Sequence, residues 1–251
     1  MPMCMLWMDA ILIVAVCLSL SLLAYYKKLL TWDGSLAALI VGIVIGCVGG
    51  ISWILLLLLF LVTSFAATIY KLGVKKQKGV QEGKSGERTW RNVLANGAPA
   101  LIIALLASDY LHVMDRTTGS VLFLCAISVA AADTLASEIG VLAKKTWFIT
   151  TMKPVKAGID GGISLPGQAS AAAAAIYTGI VGILVFHLMD GMAFNWLHII
   201  LIADIGFLGC QLDSFIGATL ETKGKVSKLT NNLVSISVGT IAAWLVMIWL
   251  L

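Results

Sequence analysis

Charged side chains are scarce in this chain of 251 residues, because only 12% of them are Asp, Glu, Lys or Arg. Hydrophobic residues make up 60%, and the mean hydropathy is +0.99. That scarcity excludes a soluble domain of this size, whose surface needs about twice as many charges. No separate soluble domain is expected either, since the longest polar stretch runs only from about Lys71 to Arg91. We predict an all-α, polytopic transmembrane bundle that forms one membrane domain over residues 1–251.

Cysteine and histidine are also few, and their positions argue against a zinc site. The five cysteines all fall in apolar segments, and no two are spaced as a CxxC pair. The three histidines, His112, His187 and His198, lie toward the predicted outer face. The net charge of +4 is explained by where the loops lie, so no nucleic-acid partner is expected.

Eight apolar stretches approach the length of about 20 residues that a membrane-spanning helix needs. They are Leu6–Ala24, Leu36–Gly50, Ile51–Tyr70, Val93–Ala107, Val121–Ala143, Ala169–Leu188, Trp196–Leu220 and Leu229–Leu251. The second is short and rich in glycine, and the fourth is short and contains Pro99. These two are therefore predicted to be tilted, broken or re-entrant.

Basic residues are confined to alternate connections between these stretches. Sixteen of the seventeen Lys and Arg residues lie in 25–35, 71–92, 144–168 and 221–228, and only Arg116 lies in the others. The positive-inside rule then predicts that these four connections are cytoplasmic and that both termini are outside. This arrangement fits the plasma membrane of a prokaryote, and an organelle membrane stays open.

Acidic and amide side chains recur at one depth inside the apolar stretches. Asp133 and Glu138 lie in the fifth stretch with Thr134 and Ser137 between them, and Asp213 with Ser214 lies in the seventh. Burying an acid at membrane depth costs roughly 2.5 kcal/mol or more, so such groups usually line a functional cavity. The amides at a similar depth are Asn92, Asn96, Asn231 and Asn232.

Oxygen ligands without His or Cys suit Mg²⁺, which is usually held by one or two carboxylates plus substrate phosphates. Asp133, Glu138 and Asp213 are the predicted Mg²⁺ ligands and catalytic residues.

Two cytoplasmic loops provide groups that can bind anions. Arg88 and Arg91 end the basic loop 71–92, directly before the first amides. The loop 144–168 is rich in Gly and Lys, and glycines let backbone amides approach a phosphate closely. A plain flexible loop is the alternative, because the spacing matches neither a Walker A motif nor a dinucleotide fingerprint. The predicted binding residues in this loop are Lys153, Lys156, Gly158, Asp160, Gly161, Gly162 and Ser164.

Together these features indicate a cytoplasm-facing site, partly within the membrane, for a phosphate-bearing ligand with Mg²⁺. Phosphoryl transfer needs metal ions, cations and positioning, and little else. The acceptor would be a lipid whose apolar tail stays between helices.

Four motifs in order along the chain resemble a known family. They are R-N-V-L-A-N-G at 91–97, A-D-T-L-A-S-E-I-G at 132–140, G-I-D-G-G-I-S-L-P-G at 158–167 and L-D-S-F-I-G-A at 212–218. This is the integral membrane family that includes plant phytyl-phosphate kinase of vitamin E biosynthesis and animal transmembrane protein 19. The resemblance implies a kinase that converts an isoprenyl monophosphate, such as phytyl or geranylgeranyl phosphate, to the diphosphate, with CTP as donor. It also implies distant kinship with membrane polyprenol kinases and cytidylyltransferases.

Under this hypothesis Arg88, Arg91, Lys153 and Lys156 bind phosphates, while the four asparagines orient the nucleotide or the acceptor. Thr134, Ser137 and Ser214 complete the predicted binding set.

Other hypotheses stay open at this point. A cytidylyltransferase that forms a CDP-lipid would use the same groups and release pyrophosphate. A cation- or proton-coupled transporter would use Asp133, Glu138 and the deeper Asp204. A purely structural role would leave function intact when Asp133 and Glu138 are neutralised. The sequence does not fix the oligomeric state, and a homo-oligomer is one option.

Overall fold

The computed structural model describes residues 7–81 and 86–250. Cys4, the first residue of the Leu6–Ala24 stretch, Leu251 and part of the predicted basic loop lie outside the described residues. The described helices are α1 (Trp7–Tyr26), α2 (Trp32–Gly49), α3 (Ile51–Ile69), α4 (Leu72–Lys78), α5 (Trp90–Leu106), α6 (Arg116–Gly140), α7 (Leu165–Asp190), α8 (Trp196–Ile216) and α9 (Lys228–Leu250). The strands are β1 (Thr146–Phe148), β2 (Pro154–Val155) and β3 (Gly162–Ile163).

Among the described residues, seven helices are long and apolar enough to cross a membrane, and α5 is a shorter apolar helix of 17 residues. These eight helices match the eight predicted stretches, so the prediction of an all-α polytopic bundle is confirmed. The second helix is longer than predicted, because Thr31 caps it and starts it at Trp32. The fourth remains short. It begins in a capping box, in which the Asn92 side chain accepts from the backbone of Thr89, and it contains Pro99.

Helix α6 is the centre of the bundle. Its membrane-spanning segment is 83% buried, against 22–44% for the other six long helices. It packs on α7, α8, α9, α5 and α3. Close approach depends on glycines of the neighbouring helices: Gly182 of α7 lies against Leu124, and Gly209 of α8 lies against Val129. Small residues allow such contact where lipid gives no hydrophobic drive for helix association. The acids predicted on this helix are therefore held by protein on most sides.

The predicted cytoplasmic connections gather at one end of the bundle. Strands β1, β2 and β3 form an antiparallel sheet in the order β2-β1-β3, with Trp147 opposite Pro154 and Ile163. This sheet within the loop 144–168 was not predicted. Thr146, Trp147 and Phe148 favour a strand, but the segment is too short to show alternation. The connection between β2 and β3 contacts both the segment after α4 and the end of α8, through Gly158 against Val80 and Gly161 against Ala218. The four described cysteines, Cys17, Cys47, Cys125 and Cys210, are free.

Candidate functional site

An acidic cavity opens at the end of the bundle that carries the sheet. It lies between α6, the end of α8, the segment 79–81 after α4 and the loop 158–161. It has about 990 Å³ of empty space, including its open side. Its walls are formed by Gly79, Val80, Gln81, Asp133, Ala136, Ser137, Glu138, Val141, Gly158, Ile159, Asp160, Gly161, Asp213, Ser214, Gly217, Glu221 and Lys228. Five of these side chains are carboxylates and one is a lysine. A cavity with that charge attracts cations, and a polyphosphate would enter it only together with metal ions that neutralise the repulsion.

Asp133 and Asp213 lie at the inner wall of this cavity, on the facing helices α6 and α8. Both also line a small gap deeper in the bundle, together with Asn96, Asn232 and Ser235. Ser235 donates to Asp213 Oδ2 at 3.2 Å, and this hydrogen bond fixes the Asp213 carboxylate. Two acids at one site repel each other unless a proton or a cation lies between them.

The amides predicted at this depth do meet across the gap. Asn232 Nδ2 donates to Asn96 Oδ1 at 3.0 Å. The Asn232 Oδ1 atom is buried, and it has no hydrogen-bond partner among the described residues. An unsatisfied buried oxygen costs free energy, so a third group is expected to bind it. Asn231 is used differently: its Nδ2 donates to the Asp213 backbone oxygen at 2.9 Å and to Glu221 Oε2 at 3.2 Å.

The oxygen atoms at this gap fit Mg²⁺. Asp133, Asp213 and the unpartnered Asn232 Oδ1 are hard donors of the type that this ion prefers. Within residues 7–81 and 86–250, no three His, Cys, Asp or Glu side chains cluster closely enough to hold a metal by themselves. The protein would thus supply part of the coordination, and phosphate or water would complete it from the side of the acidic cavity, which both aspartates also line.

The end of α8 widens into a π-helix over Gly217–Glu221. Such segments often occur at functional sites, because the extra residue per turn reorients the side chains that follow. Here the π-helix ends at Glu221, which lines the cavity and accepts from Asn231. An added Cβ at Gly217 would lie 3.0 Å from the Gly161 backbone nitrogen, so loop and helix pack backbone to backbone.

Glu138 does not join the two aspartates as a third ligand, contrary to the predicted arrangement. Its Oε2 forms an ion pair with Lys75 Nζ at 2.6 Å. Its Oε1 accepts from Thr68 at 2.8 Å and lies 3.7 Å from Arg88. Both carboxylate oxygens are therefore already engaged by cations and a hydroxyl. The reason is the position of Glu138, one turn nearer the end of α6, where it faces α3 and α4.

Lys75 is completely buried, although it belongs to the loop whose lysines indicated topology. It also donates to the backbone oxygens of Ala67 at 2.7 Å and Thr68 at 3.2 Å. All three of its N–H groups are thus satisfied, and α4 is fixed to α3 and α6.

Several residues at the site were missed by sequence reasoning, among them Thr68, Lys75, Gln81, Glu221, Lys228 and Ser235. Glu221 and Lys228 lie in a segment that was predicted as a loop, so nothing marked them as site residues. The sequence around Lys75 contains other lysines, and nothing in it separates Lys75 from them.

The predicted basic residues fall into two groups. Arg88 is held inside by contacts to Glu138 and Thr68. Arg91 is exposed and stacks on Trp90 at 5.6 Å. Lys153 and Lys156 are exposed on either side of β2 and do not line the acidic cavity. Of these four predicted basic residues, Arg88 is therefore the one that lies beside an acid of the site.

The Gly-rich loop does reach the cavity, through Gly158, Asp160 and Gly161. Gly158 and Gly161 have φ values of +88° and +77°, which strongly favour glycine. Gly162 belongs to β3, and Ser164 caps α7 by accepting from the Gly167 nitrogen at 3.3 Å. These last two residues shape the loop and do not face the cavity.

The predicted hydroxyl groups also differ in position. Ser137 and Ser214 line the cavity. Thr134 is buried, and its backbone oxygen accepts from Ser137 at 3.1 Å. Asp204 is exposed on the outer side of α8 and is not part of the cavity wall.

A narrow apolar cleft adjoins the acidic cavity, between α1, α2, α3 and α5. It has about 890 Å³ of empty space, including its open side. Its polar end carries Arg88, Asn92 and Asn96. Asn96 also lines the gap that holds the two aspartates, and Arg88 contacts Glu138. The cleft and the acidic cavity therefore adjoin each other at Asn96 and at Arg88.

Comparison with known proteins leads to the same family as the four motifs. The family model described as integral membrane protein DUF92 matches residues 15–246. The chain belongs to this family. It is an integral, multi-pass membrane protein, and the resemblance predicted from the four motifs is confirmed.

Relatives occur in archaea and in plants. An uncharacterised membrane protein of Methanocaldococcus jannaschii is 28% identical over 239 residues, which cover 94% of this chain and 92% of the relative. Protein PGR of Arabidopsis thaliana is 30% identical, covering 80% of this chain and 75% of the relative. Protein VTE6, a chloroplastic protein of the same plant, is 29% identical, covering 85% of this chain and 64% of the relative. No solved structure matches the chain significantly.

Proposed function

We propose that this DUF92 protein is a membrane kinase that transfers the γ-phosphoryl group of CTP to an isoprenyl monophosphate. The observation that carries the proposal is the gap in which Asp133, Asp213 and the unpartnered Asn232 oxygen converge, between an acidic cavity and an apolar cleft. An enzyme that joins a nucleotide to a lipid phosphate needs a metal-binding site at such a junction. Similarity to the chloroplastic protein VTE6 and membership of the family support a membrane role related to prenyl phosphates.

In the proposed reaction an oxygen of the acceptor phosphate attacks the γ-phosphorus of CTP. A new P–O bond forms, the bond from the γ-phosphorus to the bridging oxygen breaks, and CDP leaves with that electron pair. Mg²⁺, when bound, would neutralise negative charge on the phosphates. No general base is required, because the acceptor phosphate is already anionic at pH 7.

The chain's own residues have separate roles in this proposal. Asp133, Asp213 and Asn232 hold the metal, and the loop 158–161 covers the nucleotide phosphates. Arg88 binds the acceptor phosphate at the end of the cleft, where Asn96 lies beside the aspartates. Glu138 is assigned a positioning role, since its charge is balanced by Lys75 and Arg88.

The test is a transfer assay with the purified protein in detergent, Mg²⁺, γ-labelled CTP and geranylgeranyl or phytyl monophosphate. Label is expected in the extracted lipid, and it should fall at least 100-fold in Asp133→Asn and Asp213→Asn, because a lost ligand removes metal affinity. Asp204→Asn, which neutralises an exposed acid on the same helix as Asp213, is the matched control and should retain activity.

The same assay separates the competing functions. Label released as pyrophosphate would indicate a cytidylyltransferase. If no nucleotide is consumed and Asp204→Asn abolishes cation-coupled uptake in vesicles, the kinase proposal is wrong and transport replaces it.

A further inference from the structure

The apolar cleft has a blind end, and we infer that this end measures the length of an isoprenoid tail. The inference rests on the proposed function for the identity of the head group, a phosphate. Beyond that function, we expect the residues that close the cleft to determine which tail lengths bind.

The polar end of the cleft fixes the orientation of such a lipid. Arg88 is the cation there, and Asn92 and Asn96 are the neighbouring amides. A monophosphate head group complements that cation, while an uncharged tail complements the apolar walls. Because Asn96 also borders the gap of the two aspartates, a head group bound here lies next to the site of transfer.

The other end of the cleft is closed by packed side chains. Ile13, Cys17 and Ile54 form a buried cluster between α1 and α3. Gly46 of α2 packs directly on it, since an added Cβ would lie 2.8 Å from Ile54 Cγ1. On α3, Ile54 is the cleft-lining residue farthest from Phe65, and this cluster packs around it, so the cluster bounds the cleft at that end.

The distance between the two ends gives the expected tail. The cleft follows α3 from Ile54 to Phe65, which is about 16 Å at roughly 1.5 Å per residue. An extended chain advances about 1.2 Å per bond, so the cleft accommodates about thirteen bonds, or roughly three to four isoprene units. Farnesyl, geranylgeranyl and phytyl tails fall in this range.

Gly42 is the residue through which the length can be changed. It lines the cleft one helical turn before Gly46, and an added Cβ would lie 3.1 Å from Cys17 Sγ. A leucine here would fill the cleft about one turn, or roughly 5 Å, before its end. That distance is close to one isoprene unit.

The experiment measures binding without nucleotide, so it does not depend on catalysis. Affinities of geranyl, farnesyl, geranylgeranyl and hexaprenyl monophosphate would be measured for the purified protein and for three variants. For the natural chain, affinity should rise up to the farnesyl or geranylgeranyl compound and then fall at least tenfold for hexaprenyl. Gly42→Leu should shift the optimum one unit shorter, and Ile54→Ala should shift it longer. Ile40→Phe, on the exposed side of the same helix as Gly42, should leave it unchanged.

Two results would overturn the inference. One is affinity that rises with tail length alike in all four proteins, as expected for non-specific partition. The other is absence of binding by any of these lipids. Because Gly42→Leu and Ile54→Ala act in opposite directions, misfolding of one variant leaves the other decisive. If the length pattern holds but no lipid is phosphorylated, the kinase proposal fails and the cleft assignment stands.

Discussion

Lys75 and Glu138 form an ion pair that is almost completely shielded from solvent, with side-chain exposures of 0% and 6%. Removing one partner of a buried pair leaves a charge without compensation, which typically costs about 3–5 kcal/mol. Lys75→Met should therefore lower the melting temperature by roughly 6–20 °C, measured by thermal unfolding in detergent.

The double variant Lys75→Met with Glu138→Gln tests the cause of that loss. It should recover part of the melting temperature, because both charges of the Lys75–Glu138 pair are removed together. The recovery is only partial, since Arg88 loses its contact with the Glu138 carboxylate. If the double variant is as unstable as the sum of the two single variants, the ion pair is not what stabilises this end of the bundle. A loss of phosphoryl transfer in the stable double variant would support the positioning role of Glu138.

At the residue scale, sequence reasoning identified side chains better than their contacts. The sequence placed all three acids toward the inner face, with Glu138 and Asp213 at nearly the same depth and Asp133 deeper, since rise per residue is fixed in a helix. The separation of Glu138 from the two aspartates was not visible, because it depends on α4, whose seven residues carry no strong helical pattern. A partner from a short helix leaves no signal in the apolar periodicity.

At the element scale, the loop 158–161 and the π-helix at the end of α8 form one unit. Gly161 joins them, because its positive φ and its contact with Ala218 both exclude a side chain. Gly161→Ala should displace the loop and reduce phosphoryl transfer at least tenfold, measured by the labelled-CTP assay.

Gly224 offers a matched control for this variant. It also has a positive φ, +67°, but an added Cβ would have no neighbour within 4 Å. Gly224→Ala should cost only about 1–2 kcal/mol of backbone strain and leave transfer nearly unchanged. Equal loss in both variants would mean that backbone strain, and not the contact with α8, explains the effect.

Elements with long apolar runs were predicted well, and short elements without such runs were missed. Apolar length alone was enough to find the eight membrane helices. The three-stranded sheet has strands of two or three residues, which are too short to show alternation. The cap at Thr31 lengthens α2 by four residues beyond its apolar run, because Trp32 to Ser35 are polar or interfacial in composition.

At the scale of the whole molecule, the predicted orientation can be tested by labelling. Tyr110→Cys and Lys153→Cys, in a variant without other cysteines, place one thiol at each end of the bundle; both positions are exposed. The positive-inside rule predicts that a membrane-impermeant maleimide labels position 110 from outside intact cells. Position 153 should react only in inverted vesicles. The reverse pattern would place the acidic cavity outside the cell, away from CTP.

The burial of α6 has a consequence for how the protein is made. In the membrane-spanning segment of this helix, 83% of the residues are buried. Three of the helices that bury them, α7, α8 and α9, are translated after α6. When α6 leaves the ribosome, Asp213 and the other groups of α8 that face it do not yet exist. The half-made chain must therefore hold Asp133 in lipid or in the insertion machinery until α8 arrives. Glu138 can already pair with Lys75, which is synthesised earlier. This early pair offers an anchor that keeps the central helix in place during biogenesis.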